Sequence, residues 1–154
     1  MMDKLLNEFS FVFDMNVEWG EMDALQHVNN VEYFKYFQKA RIAYFEKNNS
    51  DNLFTETRIS TILASTQCKF IYPLAYPDKI SIGARIDSMA DEYFTMKYSA
   101  VSHKHQRLVA IGNAKVVMFD YVNNKKASIP PKVRSRIIDF EKSVLEITEE
   151  KKSN

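Results

Sequence analysis

The sequence predicts an α+β fold in which an antiparallel sheet wraps around one central helix. Three observations predict it. A stretch near the N-terminus alternates apolar and polar residues; a long segment, Asn30 to Lys47, carries apolar residues at helical spacing around most of its circumference; and four further alternating segments follow. A helix that is apolar on most sides belongs inside a protein, against a sheet, and not on its edge.

Taken in order, Phe9, Phe11, Phe13, Met15 and Val17 alternate with Ser10, Asp14, Asn16 and Glu18, broken only by Val12, which reads as a half-buried strand. Trp19 to Asn29 is a polar stretch. In the helix, Val31, Phe34, Phe37, Arg41 and Tyr44 or Phe45 form one stripe, and Tyr33, Tyr36, Ala40 and Ala43 form a second. Asn29 or Asn30 suits the N-cap, and the cluster Asn48-Asn49-Ser50-Asp51 marks the stop and a loop. From Thr61 to Tyr72 one face reads Ile62, Ala64, Thr66, Cys68, Phe70 and Tyr72, ended by Pro73. From Lys79 to Asp87, Ile80, Ile82, Ala84 and Ile86 stand opposite Ser81, Gly83, Arg85 and Asp87. Tyr93 to Val101 and Leu108 to Tyr121 form a hairpin across the polar turn Ser102 to Arg107, with a bulge expected at Gly112. Pro130-Pro131 opens a helix over about 131–147, with Val133, Ile137, Phe140 and Val144 on one face.

The chain of 154 residues fits a single domain spanning 1–154. Its 21 basic side chains face 20 acidic ones, so no global field points toward nucleic acid or an acidic membrane. Cys68 is the only cysteine, which excludes an intramolecular disulfide and makes a reducing cytoplasm the expected setting. Met1 to Phe9 carries Asp3, Lys4 and Glu8 and lacks the apolar run of a signal peptide, and no stretch approaches the ~18 apolar residues of a membrane span. There is no G-x-S-x-G elbow and no glycine-rich phosphate loop. His103 and His105 flank Lys104 without a Cys or carboxylate at ligand spacing, so no metal is expected, and Cys68 reads as packed among apolar neighbours.

The segment Val17 to Arg41 reads V-E-W-G-E-M-D-A-L-Q-H-V-N-N-V-E-Y-F-K-Y-F-Q-K-A-R. Its core D-x-x-Q-H-V-N-N, with Tyr33 three residues after Asn30 and A-R later in the helix, resembles the signature of the 4-hydroxybenzoyl-CoA thioesterase-like hotdog family. F-x-Y-P at Phe70 to Pro73, Asp78 before a strand, A-K-V-V-M at Ala114 to Met118 and Ile129-Pro130 before the last helix are similar to that family too. The resemblance implies a hotdog fold, a homodimer or homotetramer with sheets joined edge to edge, and an active site between subunits. It implies hydrolysis of acyl-CoA thioesters to free acid and coenzyme A, with no cofactor beyond the coenzyme A of the substrate. Asp23 takes the position of the catalytic aspartate, and Asn30 the position whose backbone N–H polarises the thioester carbonyl. Gln26, where many relatives have glycine, resembles the long-chain acyl-CoA thioesterase branch and favours a fatty acyl substrate.

Physical chemistry supports the same arrangement. A helix start presents unpaired N–H groups and a positive dipole end; one such donor against a developing oxyanion is worth ~10²–10³ in rate. Asp23 lies seven residues before Asn30, on a loop that can return to the helix start. There it acts as general base on water, worth ~10²–10⁴, or attacks directly to form an anhydride. His27 is the third catalytic candidate, better suited to hydrogen bonding within the loop than to taking a proton itself. Glu21 reads as a solvated carboxylate. Tyr33, Tyr36 and Phe37 are core residues first and the candidates for lining an acyl pocket second. Lys69, Arg85 and Lys115 are candidates for meeting coenzyme A phosphates, by strand position alone. Two other readings of the fold are an acyl-thioester dehydratase, which needs a histidine and acid pair placed differently, and a non-catalytic acyl-binding module, against which the intact Asp23 and H-V-N-N argue.

Overall fold

The computed structural model describes residues 2–142 and the short strand Thr148–Glu149. The elements are α1 (Met2–Leu6), β1 (Phe11–Asn16), a 3₁₀ turn (Trp19–Glu21), α2 (Asn30–Lys47), α3 (Ser50–Thr57), β2 (Ile59–Phe70), β3 (Lys79–Met89), β4 (Tyr93–Ser102), β5 (Arg107–Asp120), β6 (Lys125–Lys126), α4 (Pro131–Glu141) and β7 (Thr148–Glu149). The main strands lie side by side in the order β1-β3-β4-β5-β2, all antiparallel; β6 pairs with β5, and β7 runs parallel to β3. This is the curled α+β sheet of a hotdog fold, and α2 lies against its inner face.

The core forms where the inner face meets α2. Tyr33, Tyr36, Phe37, Ala40, Tyr44 and Phe45 of the helix are buried against Ile80, Ile82, Ala84 and Ile86 of β3 and Phe94, Met96 and Tyr98 of β4. Phe37 stacks on Tyr98 with ring centroids 4.9 Å apart, and Gly112 makes this possible. A Cβ at Gly112 would lie 2.5 Å from the Phe37 ring. Gly112 therefore admits a ring and is not a bulge: it pairs in register with both Cys68 and Tyr98.

Several other expectations are corrected. The expected single apolar face of β2 is broken by a register shift between Leu63 and Ser65, so strict alternation from Ile62 to Tyr72 does not hold, and Ile62 and Leu63 are both exposed. Phe9 precedes β1 and packs over Gly83, whose strand neighbours Ile82 and Ala84 face the core; Phe9 thus covers the sheet's other face. The helix α2 is not enclosed all round. Lys35, Gln38, Lys39, Ile42 and Glu46 are exposed, because within the chain the sheet covers one side of the helix only. The polar cluster at Asn48–Asp51 is a cap between two helices: Asn49 takes φ 62 and α3 begins at Ser50. Asn48 Oδ1 accepts from the Ser50 N–H at 3.1 Å, a local bond that lets the chain turn sharply. In α4, Val133 and Ile137 are buried as expected, while Val144 and the rest of the expected helix to 147 lie outside the described residues.

Candidate active site

The segment between β1 and α2 closes on itself through its backbone. Met22 and Val28 form a β-bridge, the Asp23 N–H donates to His27 O at 2.8 Å, and the Gln26 N–H donates to Asp23 O at 3.0 Å. Gln26 completes the turn at φ 63, a left-handed conformation that favours glycine. The loop is tied to its surroundings by Asn29 N–H to Glu21 O at 2.9 Å and Val28 N–H to Leu74 O at 2.8 Å. Glu21 is not the solvated carboxylate expected. It is half-buried, and its Oε1 accepts from the Tyr36 hydroxyl at 2.7 Å and from the Glu18 N–H at 2.8 Å, which fastens the loop to α2. Burial, with Glu21 as acceptor, pushes the Tyr36 hydroxyl far above the usual phenol range, so it stays a donor.

Asp23 is exposed at the mouth of this loop. Its Oδ1 accepts from the Leu25 N–H at 2.9 Å and the His27 N–H at 3.3 Å, while its Oδ2 has no partner among the described residues. One oxygen is thus held by backbone donors and the other is left to act. His27 takes part through its backbone, and its exposed ring has no hydrogen-bond partner among the described residues. Asn29 is the N-cap of α2: its side chain accepts from the Val31 N–H at 3.1 Å, and its carbonyl accepts from the Glu32 N–H at 2.9 Å. The Asn30 N–H, at the first helical position, is left without an acceptor among the described residues.

Asp23, His27 and Asn30 come together on a cleft of about 330 Å³, lined also by Val28, Tyr33, Phe70, Ile71, Tyr72 and Pro73. Tyr33 meets Phe70 edge-on at 5.0 Å, and burial raises its hydroxyl above the usual phenol range. Tyr36 and Phe37 do not line this cleft. Both are buried, one bonded to Glu21 and the other stacked on Tyr98. The apolar wall at Phe70 to Pro73 was visible in sequence as a family-like motif, but its place beside Asp23 follows from the pairing of β2 with β5. The Ile71 and Tyr72 N–H groups both donate to Val109 O, at 2.8 and 3.1 Å.

The three lysine and arginine candidates stand elsewhere. Arg85 pairs with Asp87 at 3.3 Å, Lys115 lies 4.3 Å from the Tyr93 ring centroid, and Lys69 lines a separate depression beside Phe9. Cys68 is half-buried, and desolvation pushes its thiol up to about 11, which suits a packed thiol and not a nucleophile. No group of three or more His, Cys, Asp or Glu side chains among the described residues converges as a metal site.

Residues 17–137 match the model of a protein family described as the thioesterase-like superfamily. The uncharacterized protein YsmA of Bacillus subtilis (strain 168) is 31% identical over 90 residues, a stretch that spans 58% of this chain and 60% of YsmA. Among solved structures, a hypothetical protein of Aquifex aeolicus superposes with a TM-score of 0.76 at 25% identity, over 82% of this chain and 98% of that one. A thioesterase of Thermus thermophilus, complexed with coenzyme A and Zn, gives a TM-score of 0.76 at 23% identity, over 88% of this chain and 97% of its own. The loop and helix described above fall within the matched region, and the chain belongs to the thioesterase-like superfamily.

Proposed function

We propose that this chain hydrolyses acyl-CoA thioesters to the free acid and coenzyme A. One observation carries the reading: a carboxylate oxygen and a helix-start N–H, both without partners among the described residues, belong to residues that line the same cleft, Asp23 and Asn30. A thioester carbonyl needs both. The Asn30 N–H stabilises the negative charge that develops on oxygen as the carbon becomes tetrahedral. Asp23 Oδ2 takes the proton of an attacking water, or makes the attack itself. Collapse of the intermediate breaks the C–S bond. On the general-base route the departing thiolate takes up the proton that Asp23 removed from water. On the direct route it takes a proton from solvent, while a water then hydrolyses the acyl–aspartyl anhydride to the free acid and restores Asp23. His27 holds Asp23 in place through its backbone N–H. The coenzyme A held by the Thermus thermophilus relative supports coenzyme A as the leaving group.

For the acyl group, the reading is a medium- to long-chain fatty acid. Val28, Tyr33, Phe70, Ile71, Tyr72 and Pro73 give the cleft an apolar wall, and Gln26 resembles the residue of the fatty-acyl branch at that position. Each methylene buried there contributes ~0.8 kcal/mol, so about four more carbons favour the longer chain by up to ~3 kcal/mol. Thiol release across acyl-CoAs from acetyl to palmitoyl, with benzoyl included, tests this. The expected result is a kcat/KM that climbs with chain length beyond acetyl and exceeds that for benzoyl; a flat profile, or a maximum at benzoyl, contradicts it.

The active unit is proposed to be at least a homodimer. β2 is an edge strand of twelve residues with Ile62, Leu63 and Phe70 exposed. Trp19 in the 3₁₀ turn, Leu25 in the cleft loop and Val31 in the first turn of α2 are exposed as well. A long edge strand with these apolar side chains exposed calls for a cover, and a second copy supplies one while closing the cleft. Sedimentation should show a dimer or larger at assay concentration; a fully active monomer would rule it out.

A further inference from the structure

Tyr72 is part of the cleft wall, and its ring carries a guanidinium and an imidazole that the ion pairs of the fold do not use. The Arg107 guanidinium lies 4.2 Å from the Tyr72 ring centroid, and the His105 ring lies 5.0 Å away, inclined by 60°. Both belong to the β4–β5 hairpin, whose turn also presents Lys104. All three side chains are exposed, and among the described residues none makes an ion pair.

The turn that carries them is well fixed. Ser102 Oγ donates to Asp78 Oδ2 at 2.5 Å and accepts from the His105 N–H at 3.0 Å, and Asp78 Oδ1 accepts from the Lys104 N–H at 3.0 Å. Gln106 reverses the chain at φ 53, and its side-chain amide donates to His103 O at 2.7 Å. Asp78 is the carboxylate bound to this turn, and both of its oxygens are occupied. Nearby Asp14 is engaged by Ser81 at 2.5 Å and by Lys79 at 3.6 Å. What the hairpin offers outward is therefore positive charge.

We infer that Arg107, with His105 beside it, forms a phosphate-binding site for the coenzyme A part of the substrate. This rests on the acyl-CoA reading of the cleft and adds to it a discrimination between thioesters that carry phosphates and those that do not. A guanidinium stacked on an aromatic face keeps its in-plane N–H groups free. Those groups form paired, charge-assisted bonds to phosphate oxygens. In an acyl-CoA the pantetheine arm separates the phosphates from the thioester, and Arg107 and His105 do not line the cleft but stand one aromatic ring away from it. Arg85, by contrast, is already paired with Asp87, and Lys115 lines a separate depression that shares no residue with the cleft.

The experiment compares two thioesters with the same acyl group, acyl-CoA and acyl-pantetheine, on the full chain and on Arg107→Gln and Arg107→Lys. Arg107→Gln is expected to raise KM for acyl-CoA by about tenfold with kcat within about twofold, and to leave KM for acyl-pantetheine where it was. Arg107→Lys recovers part of the loss by restoring the charge without the planar fork. Equal losses on both thioesters, or none on acyl-CoA, overturn the inference. If the unmodified chain cleaves neither thioester, the hydrolytic reading falls by itself, and calorimetry with coenzyme A and with pantetheine decides the site. Coenzyme A binding weakened about tenfold by Arg107→Gln, with pantetheine unaffected, upholds it; coenzyme A binding that is absent, or indifferent to the substitution, overturns it.

Discussion

At its C-terminal end α2 is sealed. Tyr44 is fully buried, donates to Glu141 Oε2 of α4 at 2.5 Å, and meets Phe11, Phe45 and Phe140 edge-on. The same carboxylate oxygen accepts from the Ile86 N–H of β3 at 2.9 Å, so one side chain of α4 holds both the helix and the sheet. At the N-terminal end the chain does the opposite. Asn30 is exposed, and among the described residues its N–H and one oxygen of the nearby Asp23 have no partner. A buried polar group must be satisfied from within the protein, whereas an exposed one can wait for a substrate. On the proposed function, the contrast assigns stability to one end of α2 and chemistry to the other.

The contrast can be broken first at the sealed end. Glu141→Ala leaves the Tyr44 hydroxyl and the Ile86 N–H buried without their acceptor, at about 1–3 kcal/mol each. The other oxygen, Oε1, is buried with no partner among the described residues, which offsets part of the loss when the carboxylate is removed. The expected net destabilisation is about 3 kcal/mol, read as a lower urea midpoint, while kcat/KM per folded molecule is unchanged. A loss of turnover in the folded variant would show that the two ends are not separable.

A smaller effect sharpens the boundary between them. Tyr36 lies within the buried stretch of the helix, yet its hydroxyl reaches Glu21 at the start of the loop that carries Asp23. Tyr36→Phe is expected to cost about 1 kcal/mol of stability and to lower turnover a few-fold, because the loop loses its tie to α2. Denaturation and steady-state assays on one preparation read both; a change in stability with turnover intact would place Tyr36 wholly with the core.

Much of this arrangement was legible in the sequence, and the exceptions have physical causes. Alternation in Lys79 to Asp87 placed β3 correctly because both of its neighbours are strands and one face is fully buried. β2 defeated the same reasoning. It is an edge strand with most residues exposed and a register shift, so periodicity carries little information there. Gly112 illustrates another limit, since the reason for a glycine was a ring on a different element. The short helix α3 was hidden by its own caps, as Asn48 to Asp51 reads as a loop when it joins two helices back to back. The loop from Asp23 to Asn30 was legible as a motif. Glu21 and Tyr72 were not legible as its neighbours, because their partners lie 15 residues away in α2 and across the β2–β5 pairing.

The central claim is that Asp23, at the open end, carries the chemistry, and Asp23→Asn tests it most directly. An asparagine oxygen still accepts from the Leu25 and His27 N–H groups, so the loop should keep its shape and the thermal midpoint should not move. What is lost is the negative charge and the free basic oxygen, so thiol release from an acyl-CoA should fall by at least ~10²-fold. Turnover that survives in folded Asp23→Asn protein would contradict the account and move the chemistry to another group.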